Sequence, residues 1–234
     1  MPIRSASALG AALGGLLALA TGPVQAIGAP PPAAVMAAGG TTQTIAQRAS
    51  PAWVAFARAW NHIAGYRATV TVFEQKGTQV QNMVLDYSFR KPSNASIRIV
   101  KGPDTGVTLI WNGGDTLEAH RGCGFIGLFK RTLSLRDPLA TTVRGSSIDQ
   151  LSFGAILAHG MATPGAVSQA AGAAIDGTAM DAVRLVPANP TDDASLTLEI
   201  IYISKQTHLP VLLVGYEGPK LVRSVEFSSV ELER

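Results

Sequence analysis

The chain of 234 residues holds a single cysteine, Cys123, so no disulfide can form within it. That excludes the disulfide-stapled class of small exported folds, and the core must hold by burial alone. Nothing in Gly122-Cys123-Gly124-Phe125 places a base beside the thiol, and only Arg121 is near, so the thiol reads as inert. Charge is also scarce. Asp, Glu, Lys and Arg make up 15% of the chain and leave a net charge of +3, too mild for a nucleic-acid groove or a polybasic membrane patch. The four histidines, His62, His120, His159 and His208, fall on separate elements without a metal spacing such as H-E-x-x-H. There is no G-x-S-x-G elbow and no phosphate loop. No catalytic residue, metal ligand or cofactor is therefore expected, and Asp192-Asp193, in a Pro-Thr loop, reads as a solvated turn.

A long apolar run is missing too. Ala8 to Ala20 is diluted by glycines and followed by Pro23, whereas a spanning helix needs about 20 strongly apolar residues. With Arg4 before it and Val24-Gln25-Ala26 after it, this run has the layout of a secretory signal peptide, residues 1–26. No cysteine sits at the cleavage point, so the mature chain is expected to be free of a lipid anchor. Residues 27–49 are mostly Ala, Gly, Pro and Thr with no charge before Arg48, a flexible lead-in. Residues 50–234 remain as one domain.

Ser50-Pro51 opens a helix, with Ser50 as cap and Pro51 at the first helical position. Trp53, Phe56, Ala57, Trp60 and Ile63 form one apolar stripe, and Gly65 ends it. From Tyr66 the period becomes two. Tyr66, Ala68, Val70 and Val72 mark one strand; Met83, Leu85, Tyr87 and Phe89 mark the next, stopped by Pro92. Ile97 and Ile99, then Val107, Leu109 and Trp111, then Asp115 to His120 follow, with Asn112-Gly113-Gly114 as a hairpin turn.

His120 to Gly145 sets Phe125, Ile126, Leu128 and Phe129 among three glycines, an odd composition for a loop. Ser147-Ile148-Asp149-Gln150 fits a capping box for a helix ending at Gly160. Residues 161–178 read as a loop with a poor short helix near Val167–Ala174. Strands resume at Met180–Pro187, Leu196–Ser204, Leu209–Tyr216 and Leu221–Leu232, the last with a phase slip at Ser228-Ser229 that a β-bulge produces.

The plan is one helix, five strands, an insertion and four strands, an antiparallel α+β arrangement. A sheet of this many strands curls, and so little helix gives thin cover for its inner face. Two outcomes stand: a fully packed sandwich, or a hollow apolar trough suited to acyl chains. Leu196, Leu198 and Ile200 oppose Ile201 and Ile203 along one strand, so both of its faces are apolar.

Gly65-Tyr66-Arg67-Ala68-Thr69-Val70-Thr71-Val72-Phe73-Glu74-Gln75 and Leu85-Asp86-Tyr87-Ser88-Phe89-Arg90-Lys91-Pro92 resemble the opening of LolA-like periplasmic lipoprotein carriers. That family has a "Y-x-A-x-F-x-Q" strand and a second strand ending in a basic residue and Pro. Trp111-Asn112-Gly113-Gly114-Asp115-Thr116-Leu117 is similar to its "D-G-K-x-L" hairpin, and Ile203 to Pro210 to its "D-x-x-T-x-L-P" element. Gly124-Phe125-Ile126-Gly127-Leu128 and Leu133 to Pro138 resemble an uncharacterised exported bacterial branch of the superfamily.

The resemblance, over about residues 50–232, implies a strongly curved, unclosed antiparallel sheet, a half barrel, with a few helices covering its concave face. It implies a periplasmic carrier that binds lipoprotein acyl chains or another lipid and moves them between membranes. An inner-membrane transporter and an outer-membrane acceptor would be its partners, and the carrier would be a monomer. A lipid- or lipoprotein-sensing regulatory module of the same fold is the alternative. A lipid hydrolase using Ser204 or Ser134 with His208 is the third reading. The trough lining is expected from Val70, Leu85, Tyr87, Ile97, Trp111, Leu198 and Ile200, and the mobile cover from Phe125, Leu128 and Phe129. In the family the basic residue before Pro holds the cover shut. Lys91 stands there, with Arg90 beside it as the alternative latch.

Overall fold

The computed structural model describes residues 50–121 and 129–234, without the side chains of Phe129 and Asp192. Helix α1, Pro51–Asn61, begins where Ser50 accepts a hydrogen bond from the Trp53 N–H at 3.3 Å. Six strands follow: β1 Gly65–Lys76, β2 Gln79–Arg90, β3 Asn94–Lys101, β4 Val107–Trp111, β5 Thr116–Arg121 and β6 Phe129–Ser134. The insertion carries a one-turn 3-10 segment, Ile148–Leu151, and helix α2, Phe153–Ala162. Five more strands complete the chain: β7 Gly165–Ala171, β8 Met180–Pro187, β9 Leu198–Ser204, β10 Pro210–Glu217 and β11 Lys220–Glu233. A second 3-10 turn, Pro190–Asp193, lies between β8 and β9.

All eleven strands belong to one antiparallel sheet in the order β6-β5-β4-β3-β2-β1-β11-β10-β9-β8-β7. It is two meanders joined where β1 pairs with β11, and its edges β6 and β7 stay apart, so it is an unclosed half barrel. The predicted bulge in β11 is present. Arg67 faces Glu231 and Thr69 faces Ser228, and Ser229 takes a left-handed φ of 51°.

Three readings of the sequence change. Nine expected strands become eleven: β6 lies in the glycine-jointed apolar segment, and β7 where the sequence predicts a loop with a poor short helix near Val167–Ala174. Both are edge strands: β6 buries Leu133 and β7 has no fully buried residue, so the two-period apolar signal is weak in each. α1 stops at Asn61, short of Gly65, because the His62 and Ile63 N–H groups bond back to Ala59 and Trp60 carbonyls in tighter turns. The helix predicted from Ser147 to Gly160 is broken at Ser152, whose backbone is extended and whose hydroxyl caps α2 at the Ala155 N–H, 3.0 Å away.

The main core lies between the sheet and the helices. Tyr66, Ala68, Val70 and Val72 of β1 and Met83, Leu85, Tyr87 and Phe89 of β2 face Trp53, Phe56 and Trp60 of α1 and Phe153 and Ile156 of α2. Around Phe153 the filling is aromatic: its ring stacks on Tyr66 at 4.1 Å and 4°, and meets Phe227 edge-on at 5.2 Å. The Tyr66 hydroxyl donates to the Leu151 carbonyl at 3.3 Å and accepts from the Phe153 N–H at 3.2 Å, which fixes the start of α2 on β1. The helices meet through glycine. A Cβ on Gly160 would run into the Trp53 ring, and one on Gly154 would sit 3.0 Å from Trp60. A smaller cluster of Ile175, Met180, Ala182, Ile200, Tyr202, Val214 and Tyr216 occupies the other face of β8–β10.

Candidate functional site

The aromatic filling does not extend under the whole cover. Between β1–β4, β11 and the segment 138–148 lies a cleft of about 400 Å³. Val72, Met83, Leu85, Ile97, Ile99 and Leu109 form its floor, and Ile148 and Leu151 its roof. Gln79, Gln81, Asp104, Thr141 and Thr142 contribute polar atoms, and Leu139, an apolar side chain 66% exposed, stands among the lining residues. The size and the apolar lining suit a small amphiphile.

A charged row ends the apolar floor. Strand pairing places Gln81, Glu74, Arg223, Gly215 and Glu199 opposite one another across β2, β1, β11, β10 and β9. Glu74 and Glu199 are 0% and 1% exposed. Arg223 lies between them, Nε 3.8 Å from Glu74 and Nη1 3.6 Å from Glu199. The cover is pinned to this row. The Val143 N–H donates to Gln81 at 3.0 Å, the Arg144 N–H to Glu74 at 3.2 Å and the Ser146 hydroxyl to Glu74 at 2.8 Å. The Arg144 guanidinium donates to the Gln75 carbonyl at 2.7 Å, the Ala194 carbonyl at 2.5 Å and the Glu217 carboxylate at 2.7 Å.

At the far end of the row α2 is tied down by His159. Its Nε2 lies 3.1 Å from Glu199 and 3.4 Å from Asp193. The hydrogen bond to Glu199 holds the His159 imidazole above its usual range against the cost of burial. Burial pushes the Asp193 carboxyl up, and the neighbouring Glu199 adds to it. Glu199 is pushed up by burial, yet the His159 hydrogen bond and the Arg223 charge outweigh this and leave it lowered. Asp193 is thus buried, 5% exposed, and not the solvated turn expected of the Pro-Thr loop, because the 3-10 turn folds it under α2.

The predicted lining residues separate into four groups. Leu85 and Ile97 line the cleft. Val70 and Tyr87 face the same side but are 0% and 2% exposed within the packed core, so they fill rather than line. Trp111 belongs to a second, more open cleft of about 390 Å³ with Trp60, Phe89, Lys91 and Asp149, and its indole N–H donates to the Gly114 carbonyl at 2.9 Å. Leu198 and Ile200 are corrected: they pack in the cluster on the opposite face, and Ile201 and Ile203 point toward the helices. A strand apolar on both faces gives no sign of which face is inward.

Of the cover, Phe125 and Leu128 lie outside the described residues, as does Cys123, and Phe129 is described only as the first residue of β6. Lys91 reaches α1: its ammonium donates to the Trp60 carbonyl at 2.7 Å and sits 4.3 Å from the centre of the Trp60 ring. Desolvation lowers its affinity for a proton. Arg90 turns away and pairs with Glu233 at 3.1 Å on the exposed side of the sheet. The Ser204 hydroxyl accepts from the Gln206 and Thr207 N–H groups, each at 3.2 Å, and so serves its own turn.

The polar pinning of the cover escaped the sequence reading, although a signal for it exists. Glu74, Glu199 and Arg223 stand at the inward phase of their strands, in step with Val72, Ile201 and Val225. A charge at an inward position requires a partner.

No family model matches the chain, and no curated protein matches it in sequence. Solved structures of LolA-superfamily type are similar to it. The lipoprotein LppX of Mycobacterium tuberculosis aligns at TM-score 0.44 and 14% identity, over 78% of this chain and 96% of that one. A putative outer membrane lipoprotein-sorting protein domain from Vibrio parahaemolyticus aligns at 0.40 and 10%, over 77% and 92%. A LolA superfamily protein from Nitrosomonas europaea aligns at 0.34 and 9%, over 78% and 94%. Among the described residues, no helix is long and apolar enough to cross a membrane.

Proposed function

We propose that the chain is an exported carrier that takes up the hydrocarbon chain of an amphiphile in the cleft beneath segment 138–148. The observation that carries this reading is the cleft itself. About 400 Å³ stays unfilled beside a tightly packed aromatic core, and its floor and roof are apolar side chains from separate elements. Apolar clefts of this size are where small ligands bind. Each buried methylene contributes about 0.8 kcal/mol, so one alkyl chain supplies enough free energy for specific capture. A methylene is about the size of a water molecule, roughly 30 Å³ of liquid volume, so about 400 Å³ gives room for one long alkyl chain. The polar atoms of Gln79, Gln81 and Asp104 would face the headgroup.

In this reading residues 1–26 direct export and are removed, and the protein works in the periplasm between membranes. Lys91 serves as one tie on the cover through Trp60, and Arg144 as the stronger one. The test is uptake of a fluorescent fatty acid by the purified chain, together with extraction of co-purified lipid. Saturable uptake of one probe per chain is expected; absence of both probe uptake and co-purified lipid would overturn the reading.

A further inference from the structure

His159, Asp193 and Glu199 come from α2, the Pro190–Asp193 turn and β9, and their ligand atoms lie within 4.8 Å of one another. His159 Nε2 stands 3.1 Å from Glu199 Oε2 and 3.4 Å from Asp193 Oδ1. Around a tetrahedral ion with bonds of about 2.0–2.1 Å, neighbouring ligand atoms are roughly 3.3 Å apart. Both distances are close to such an edge.

Hydrogen bonding orients the ring. Thr163 Oγ1 has one hydrogen, which it donates to the His159 carbonyl at 2.9 Å. Toward His159 Nδ1, 3.3 Å away, the hydroxyl is then an acceptor, and Nδ1 carries the proton. Nε2 faces the two carboxylate oxygens, and it either donates a hydrogen to Glu199 or, deprotonated, offers its lone pair to a cation held between them.

Each carboxylate has one buried oxygen without a hydrogen-bond partner. The Asp193 side chain is 4% exposed; its Oδ2 has no hydrogen-bond partner, and its Oδ1 lies 3.4 Å from His159 Nε2. Glu199 Oε1 also has no hydrogen bond, its nearest cation being Arg223 Nη1 at 3.6 Å. Among the described residues, Glu74, Asp193, Glu199 and Glu217 face Arg144, Arg223 and the His159 ring, so with the ring neutral negative charge is in excess. Buried carboxylates in this position need a cation.

We propose that His159, Asp193 and Glu199 form a site for a divalent transition-metal ion, with Zn²⁺ the favoured occupant. Mixed imidazole and carboxylate donors suit Zn²⁺ better than Ca²⁺ or Mg²⁺. Thr163 fixes the ring as the outer partners of metal-bound histidines do. Three protein ligands leave a fourth position, reached past the His159 side chain, which is 35% exposed. The ion would rivet α2 to β9 and so fasten the cover to the sheet. It stands independently of the acyl-chain cleft, whose occupancy is read separately with the fatty-acid probe.

A proton on His159 Nε2 is the competing occupant. The full chain, stripped with chelator, is titrated with Zn²⁺ by calorimetry and with Co²⁺ by visible absorption, and histidine ring signals are followed by NMR. One equivalent of Zn²⁺, tetrahedral Co²⁺ bands and a shift confined to the His159 ring are expected. Asp193→Asn and His159→Gln should each abolish this uptake, and Thr163→Val should weaken it about tenfold. No stoichiometric uptake, a shift at another histidine, or uptake unchanged in Asp193→Asn would overturn the proposal. Should the ligand variants fail to fold, the NMR shift and the Co²⁺ spectrum of the unaltered chain still decide it.

Discussion

Arg144 leaves the covering segment and ion-pairs with Glu217 of β10 at 2.7 Å, its own side chain only 4% exposed. The same guanidinium also satisfies the carbonyls of Gln75 and Ala194. One side chain therefore binds the cover to β1, to β10 and to the loop before β9.

Removing it should cost about 3 kcal/mol of stability, since a buried charged donor is lost and its acceptors are stranded. Urea unfolding of Arg144→Ala checks this. Arg144→Lys should recover only part of the loss, because one ammonium cannot serve three spread acceptors. A loss under half a kcal/mol in the alanine variant would show that the cover is held elsewhere.

Gly160 lies against the Trp53 ring, where an added Cβ has no room. Gly160→Ala should destabilise by about 1–3 kcal/mol through overpacking, despite alanine's better helix propensity. Thermal melts of this variant and of Trp53→Phe/Gly160→Ala check the cause: the smaller ring should restore part of the loss.

Tyr66→Phe removes the hydroxyl that serves both the Leu151 carbonyl and the Phe153 N–H. The ring stack survives, so the expected loss is about 1–2 kcal/mol. Hydrogen exchange should report it chiefly at the Phe153 amide and the first turn of α2.

Leu139 stands 66% exposed among the residues lining the cleft. Leu139→Asp should leave the melting temperature within a degree or two, as exposed substitutions do, while slowing uptake of a fatty-acid probe. Stopped-flow fluorescence separates the two effects.

Much of this architecture was legible. The strands β1–β4 and β8–β11 each have at least one inward face of Val, Ile, Leu or aromatic residues, and the alternation marks them. β7 is hidden because no residue of Gly165–Ala171 is fully buried: half-buried and exposed positions alternate, but Val167 is the one large apolar side chain among them. The choice of Leu198 and Ile200 over Ile201 and Ile203 failed for the opposite reason: β9 is apolar on both sides. The cleft residues Leu85 and Ile97 follow from strand phase, but which inward residues line space and which fill it depends on where the aromatic rings of Tyr66, Tyr87 and Phe153 end. Asp193 and Arg144 sit in irregular segments whose partners are remote in sequence, and no local pattern announces them.

The most direct measurement is native mass spectrometry of the chain with a long-chain fatty acid, beside the variant Ile97→Trp, whose larger ring would occupy the cleft floor. One bound chain per protein is expected, and at least tenfold weaker binding in the folded variant. Equal binding by both proteins, or none by either, would contradict an acyl-chain site in this cleft.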